Sequence, residues 1–205
     1  GSAGACRAVC GAVVLADAAV LLFLAGFFDI FPECATAGCP CASWDGCLMR
    51  RILGIDPGLQ RTGWGIVDQD GSRLSYVAAG IITSNAKDEM AARLHQLAAA
   101  LLEVIAAHGP HLAAVEETFV NKNAASSLAL GQARGIALLI PAEAHVPVHE
   151  FATNQIKKTV TGVGHAEKQQ IQAMIKILLP TAPVVAADAA DALAAAICCA
   201  QYVKK

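Results

Sequence analysis

Four carboxylates, Asp56, Glu116, Asp188 and Asp191, stand where a chain could bring acids together for chemistry. Asp56 ends the apolar run Ile52-Leu53-Gly54-Ile55 and is followed at once by Pro57-Gly58. A strand that delivers an acid at its last position and then breaks presents that acid at the edge of a sheet. A carboxylate beside an apolar core is costly unless a cation or a donor compensates it. Glu116 closes a second short apolar run, with Glu117 directly behind it. Asp188 and Asp191 are three residues apart at the start of an alanine-rich segment, so on a helix they share one face. Bare acids at close range raise each other's pKa. Hard Mg²⁺ or Mn²⁺, which prefers oxygen ligands, resolves the conflict. The set has no His or Cys companion, which favours Mg²⁺ over Zn²⁺. Two such ions about 3.5–4 Å apart can activate water against a phosphodiester and stabilise the leaving oxygen. Taken singly, each acid has a plainer reading. Asp56 is a turn former, Asp188 and Asp191 are a helix cap and a first-turn acid, and Glu116 is a solvated strand end. The combination carries the metal reading.

These acids need elements to position them. Arg51–Asp56 reads as a buried strand, Gly63–Val67 as a second and Arg73–Thr83 as a third, with Asp70-Gly71 as the hairpin signal between the last two. Three strands joined by short turns are antiparallel. Met90, Leu94, Leu97, Leu101, Val104 and Ile105 then recur at helical spacing up to His108, where Gly109-Pro110 stops the helix. Leu112–Glu116 is a short strand, Ala124–Ala144 a long helix and Val146–Phe151 another strand. Ile156–Val160, Ala166–Leu178 and Ala189–Val203 read as helices. Strands reached through helical crossovers are parallel to the first. The expected class is α/β, a mixed sheet with helices on both faces. Ligand sites in such sheets lie beyond the carboxyl ends of the strands, where Asp56 and Glu116 fall.

The chain has 205 residues, 56% hydrophobic and 16% charged, which excludes a disordered protein and leaves room for one sizeable domain plus an extra piece. That piece is residues 1–48. It holds one basic residue (Arg7) against four acids, and six of the eight cysteines. Its apolar run Ala18–Phe28 spans 11 residues, short of the roughly 20 that cross a bilayer. Cys34, Cys39, Cys41 and Cys47 lack paired C-x-x-C spacing for zinc. The expectation is upstream sequence translated from a misplaced start, or an artificial leader left from cloning, outside the fold, with a domain over 49–205. That domain carries 14 basic and 13 acidic residues, so any nucleic-acid surface is a basic face, not a basic protein. Cys198 and Cys199, inside a helical pattern, read as buried hydrophobes in a reducing compartment, and no membrane partner is expected for this domain.

Phe119 beside Lys122 offers an aromatic face next to a cation; the face is suited to stacking on an unpaired base, although a large apolar side chain alone is more often core. Lys157, Lys158 and Lys168 flank Gly162-Val163-Gly164, where lysines can neutralise phosphates and glycines permit close approach. Arg134, in Gly131-Gln132-Ala133-Arg134-Gly135, suits a phosphate contact or a helix cap. No role is assigned to His165, and the other histidines show no metal spacing.

Residues 49–205 closely resemble the RuvC family of Holliday junction resolvases. The motifs that carry the resemblance are Ile52–Gly58, Thr62–Gly65, Val115–Asn123, Leu130–Gly135, Lys157–Gly164, Ala166–Lys168 and Ala187–Ala194, in order over nearly the whole segment. The resemblance implies a ribonuclease H-like fold with a mixed five-stranded sheet, a homodimer, and Mg²⁺-dependent cutting of four-way DNA junctions, with two ions per site and Mn²⁺ as a substitute. It implies that Asp56, Glu116 (in preference to Glu117), Asp188 and Asp191 are the catalytic metal ligands, that Phe119 enters the junction core, and that Lys157 and Lys168 are the stronger DNA contacts. It further implies a cytoplasmic enzyme of recombination and repair that works with the RuvAB branch-migration complex. Three rivals remain at this stage: an actin-like ATPase or sugar kinase, a junction-binding scaffold without nuclease activity, and a related enzyme acting on RNA.

Overall fold

The computed structural model describes residues 49–117, 123–183 and 185–203; the expectation for residues 1–48 lies outside them. Five strands form one sheet: β1 (Met49–Asp56), β2 (Arg61–Asp70), β3 (Arg73–Thr83), β4 (Leu112–Glu117) and β5 (Val148–Ala152), in the order β3-β2-β1-β4-β5. β1, β2 and β3 are antiparallel, as their short turns require, while β4 and β5 run parallel to β1. Five helices complete the fold: α1 (Met90–His108), α2 (Ala124–Glu143), α3 (Thr153–Thr161), α4 (Lys168–Leu178) and α5 (Ala187–Tyr202). The mixed five-stranded sheet expected from the sequence is what forms. β2 begins before its glycines, at Arg61, and α3 begins at Thr153, directly off the end of β5.

Two cores lie on opposite faces of the sheet. On one, Ile52, Val67 and Ala114 pack with α3, α4 and α5. On the other, Leu53, Ile55, Ile66, Ala113 and Val115 pack with α1 and α2. Among the described residues one helix, α1, is long and apolar enough to cross a membrane. Here it buries Leu97, Leu101 and Ile105 against the sheet.

α5 is the central helix, buried on nearly all sides from Ala189 to Ala200. Its alanines bring its backbone close to the sheet, and glycines receive it. Gly54 of β1 pairs with Gly65 of β2, and Asp56 pairs with Gly63. A Cβ at Gly54 would collide with the Ala192 carbonyl and stand 2.8 Å from the Ala196 amide nitrogen. One at Gly63 would collide with the Asp188 carbonyl. The helix positions 188, 192 and 196 therefore run as one ridge over this glycine floor.

Candidate active site

Strand alternation decides which acids can meet. Side chains along β1 switch faces at each residue. Ile52 lies on the α5 side, Leu53 and Ile55 on the other, so Gly54 and Asp56 face α5. Along β4, Ala114 lies on the α5 side and Ala113 and Val115 on the other, which turns Glu116 toward α5 and Glu117 away. β1 and β4 are in register at Ile55 and Val115, so Asp56 and Glu116 follow side by side on neighbouring parallel strands. Asp191 comes to the same place, with Asp188 near enough to act on Asp56 through its charge, because the glycine floor seats the first turns of α5 over the ends of β1 and β2.

Asp56, Glu116 and Asp191 line a cleft of ≈ 220 Å³ together with Thr153, Ile156 and Lys157 of α3 and Lys168 and Ile171 of α4. A depression of ≈ 290 Å³ elsewhere, against α4 at Gln169, Gln172 and Lys176, has no carboxylate in its lining. Burial first, then the charges of Glu116, Asp191 and Asp188, push the Asp56 carboxyl from 3.8 up to about 8. Burial also raises Glu116 and Asp191, each eased downward by the lysines 157 and 168. Asp56, Glu116 and Asp191 are therefore all held above the ordinary carboxylate range, by burial first and by the charge of neighbouring acids second.

Each of three acids also has a protein donor. The Thr153 hydroxyl donates to Glu116 Oε1 at 2.6 Å, Lys168 Nζ stands 3.7 Å from Asp191 Oδ2, and Arg61 Nε donates to Asp188 Oδ2 at 2.8 Å. Among the described residues, no three His, Cys, Asp or Glu side chains stand close enough together to form a ready-made metal shell. The donor set still fits a hard divalent cation, being all carboxylate oxygen, mutually repelling and rimmed by lysines 157 and 168. Asp188 does not act as a helix cap: the N-cap of α5 is Ala186, without a side-chain cap bond.

Among the expected DNA contacts, Lys157 faces the cleft and Lys168 stands at its rim, 71% exposed. Lys158, the next residue along α3, is exposed and outside the cleft lining. Arg134 lies in mid-helix and pairs with Glu150 of β5, tying α2 to the sheet instead of capping a helix end. Phe119 and Lys122 lie outside the described residues. Two site residues escaped the sequence reading. Thr153 is reached from the parallel pairing of Glu116 with Phe151, two residues before it. Arg61 opens β2 two residues before Gly63, the partner of Asp56.

A mixed sheet in this order, with acids at the ends of two adjacent parallel strands and on the helix crossing them, is the ribonuclease H-like architecture of a nuclease. The family model described as "Crossover junction endodeoxyribonuclease RuvC" matches residues 52–199. The crossover junction endodeoxyribonuclease RuvC of Rhizobium etli is 59% identical over 148 residues, covering 72% of this chain and 88% of that protein. Its counterpart in Brucella anthropi is 58% identical over 152 residues, covering 74% and 88%. The chain belongs to the RuvC family. Thermus thermophilus RuvC in complex with a Holliday junction substrate superposes with a TM-score of 0.70 at 30% identity, over 75% of this chain and 94% of that one. The yeast mitochondrial Holliday junction resolvase Ydc2, at 15% identity and a TM-score of 0.53, shares the fold.

Proposed function

We propose that this chain is a structure-selective endonuclease that resolves four-way DNA junctions by Mg²⁺-dependent phosphodiester hydrolysis, through a nuclease domain spanning residues 49–205. The observation that carries the reading is the meeting of Asp56, Glu116 and Asp191 in one cleft with Lys157 and Lys168, with Asp188 at its edge. The likeness to a relative solved with a Holliday junction supports the substrate.

Asp56 and Glu116 would hold the metal from the sheet, and Asp191, joined by Asp188, would hold it from α5. Two Mg²⁺ ions bound there, or Mn²⁺ in their place, would supply Lewis-acid activation of water and stabilisation of the leaving 3′ oxygen. Thr153 fixes the Glu116 carboxylate and favours its charged form. Lys157 and Lys168 offset the carboxylates and receive the scissile phosphate, with Lys158 and Lys122 as outer phosphate contacts. Phe119 stacks in the open centre of the junction. Arg134 is already paired with Glu150, so it has less of its charge to offer a phosphate and is the weakest of these contacts. The product is a nick with a 5′-phosphate and a 3′-hydroxyl. The enzyme belongs in the cytoplasm, a reading supported by the free thiols of Cys198 and Cys199, and the RuvAB branch-migration complex is its expected partner.

The test is cleavage of a synthetic four-way junction beside a linear duplex of the same arm sequence. Paired nicks in opposite strands of the junction, present with Mg²⁺ and absent with EDTA, are expected. Equal cutting of the linear duplex, or cutting in EDTA, would overturn the proposal.

Paired nicks need two sites related by a two-fold axis. α2 carries a suitable surface. Leu128, Gly131, Gly135 and Leu139 recur along one exposed stripe, with Leu128 66% and Leu139 50% exposed and nothing within 4 Å of a Cβ built at either glycine. Small residues between exposed leucines let a second α2 approach closely. Leu128→Arg should convert a dimer into a monomer by light scattering while leaving the circular dichroism unchanged; an unaltered dimer would remove α2 as the pairing face.

A further inference from the structure

Of the four acids, Asp188 alone is outside the cleft lining and turned to a cation of β2. Its main chain has no freedom to account for this, since the Asp188 carbonyl sits directly on Gly63. Any approach of its carboxylate to the other three therefore has to come from the side chain. Arg61 has the complementary character, a fixed stem and a movable head. Thr62 Oγ1 donates to the Gly58 carbonyl at 2.7 Å, and Ser84 N donates to the Gln60 carbonyl at 3.3 Å, so the backbone on either side of Arg61 is tied. The Arg61 side chain is 53% exposed, and that of Asp188 28%.

We propose that Arg61 is a positioning residue for the metal site: it holds the Asp188 carboxylate through Nε and releases it to the metal when a DNA phosphate claims the guanidinium. This rests on the metal-nuclease reading above. An exposed ion pair is cheap to break, because water and salt screen it. A guanidinium matches phosphate oxygens in a bidentate fork, so DNA at the cleft is a stronger acceptor than the single carboxylate oxygen held now. Asp188 is then left beside Asp56 without its cation, and the metal becomes its best partner. DNA and metal would tighten each other's binding by the same factor, as linkage requires. Lys168 and Asp191 do not duplicate the device, because their 3.7 Å contact is looser and Asp191 already faces the cleft.

The measurement is Mn²⁺ affinity by electron paramagnetic resonance on the DNA-free full chain, for the parent, Arg61→Gln, Asp188→Asn and the double variant. Arg61→Gln should bind Mn²⁺ about two- to fivefold more tightly than the parent, the scale of one exposed ion pair. In the Asp188→Asn background the same substitution should change nothing, because the carboxylate it acts through is gone. An Arg61→Gln protein with unchanged or weaker affinity would refute the proposal. So would a gain that persists in the Asp188→Asn background, which would mark Arg61 as a through-space charge only. A parent that binds no Mn²⁺ would instead sink the metal reading itself.

Discussion

Asp56→Asn should leave junction binding intact and lower Mg²⁺-dependent cleavage by roughly a thousandfold or more, the scale on which preorganised electrostatic groups act. The amide keeps the shape of the carboxylate at the end of β1 but cannot supply the charge that holds a divalent cation. The lysines proposed above as phosphate contacts are untouched, so affinity for the junction should persist. The same substitution carries a stability signature of opposite sign. In the absence of added metal, burial and three neighbouring acids raise Asp56 from 3.8 to about 8. A raised folded value means that the folded state binds the proton more tightly than the unfolded chain. The stability this group contributes is full below about pH 4 and drains away as pH climbs toward 8. Glu116 and Asp191 shift in the same direction and add to the trend. Asparagine does not ionise. Thermal melting in EDTA should therefore show Asp56→Asn matching its parent near pH 4 and exceeding it increasingly toward pH 9, with Mg²⁺ narrowing the gap for the parent alone. A variant that cuts at the parental rate, or whose thermal advantage does not grow with pH, would remove Asp56 from the metal set.

Gly54→Val should be among the most damaging single changes in the domain. The strand cannot shift aside, because β1 is hydrogen-bonded to β2 on one side and β4 on the other. The new Cβ would meet backbone atoms of Ala192 and Ala196. No rotamer change relieves a clash with backbone, so α5 must lift. Overpacking a core costs about 1–3 kcal/mol and occasionally more, and a rigid partner places this case at or above the top of that range. The denaturation midpoint in urea should fall accordingly, with metal affinity lost in whatever fraction remains folded. Parental stability would show that α5 does not bear on the sheet at this glycine.

Much of this site was legible in the residues, for reasons that differ from acid to acid. Asp56 and Glu116 announce themselves because an apolar run ending in an acid is a local pattern. Asp188 and Asp191 announce themselves through helical spacing. The choice of Glu116 over Glu117 rested on resemblance, although Ala114-Val115-Glu116 already contains its physical reason in the alternation of the strand. Thr153 and Arg61 stayed hidden because their partners lie 37 and 127 residues away and only the pairing of strands brings them together. Arg134 shows the converse. Its motif suggested a ligand, and the fold supplied an internal partner, Glu150, across an α2–β5 contact that no local pattern encodes.

The two-faced sheet has a consequence for how such an enzyme can change over generations. Every acid of the cleft belongs to the α5 side, and the exposed apolar stripe belongs to a helix on the opposite side. Under the α2 pairing proposed above, the surface between copies and the acids of the cleft lie in different layers, with the sheet between them. The arrangement is modular within a single domain. The proposed pairing face can then be altered by substitution without touching the acids on the α5 side.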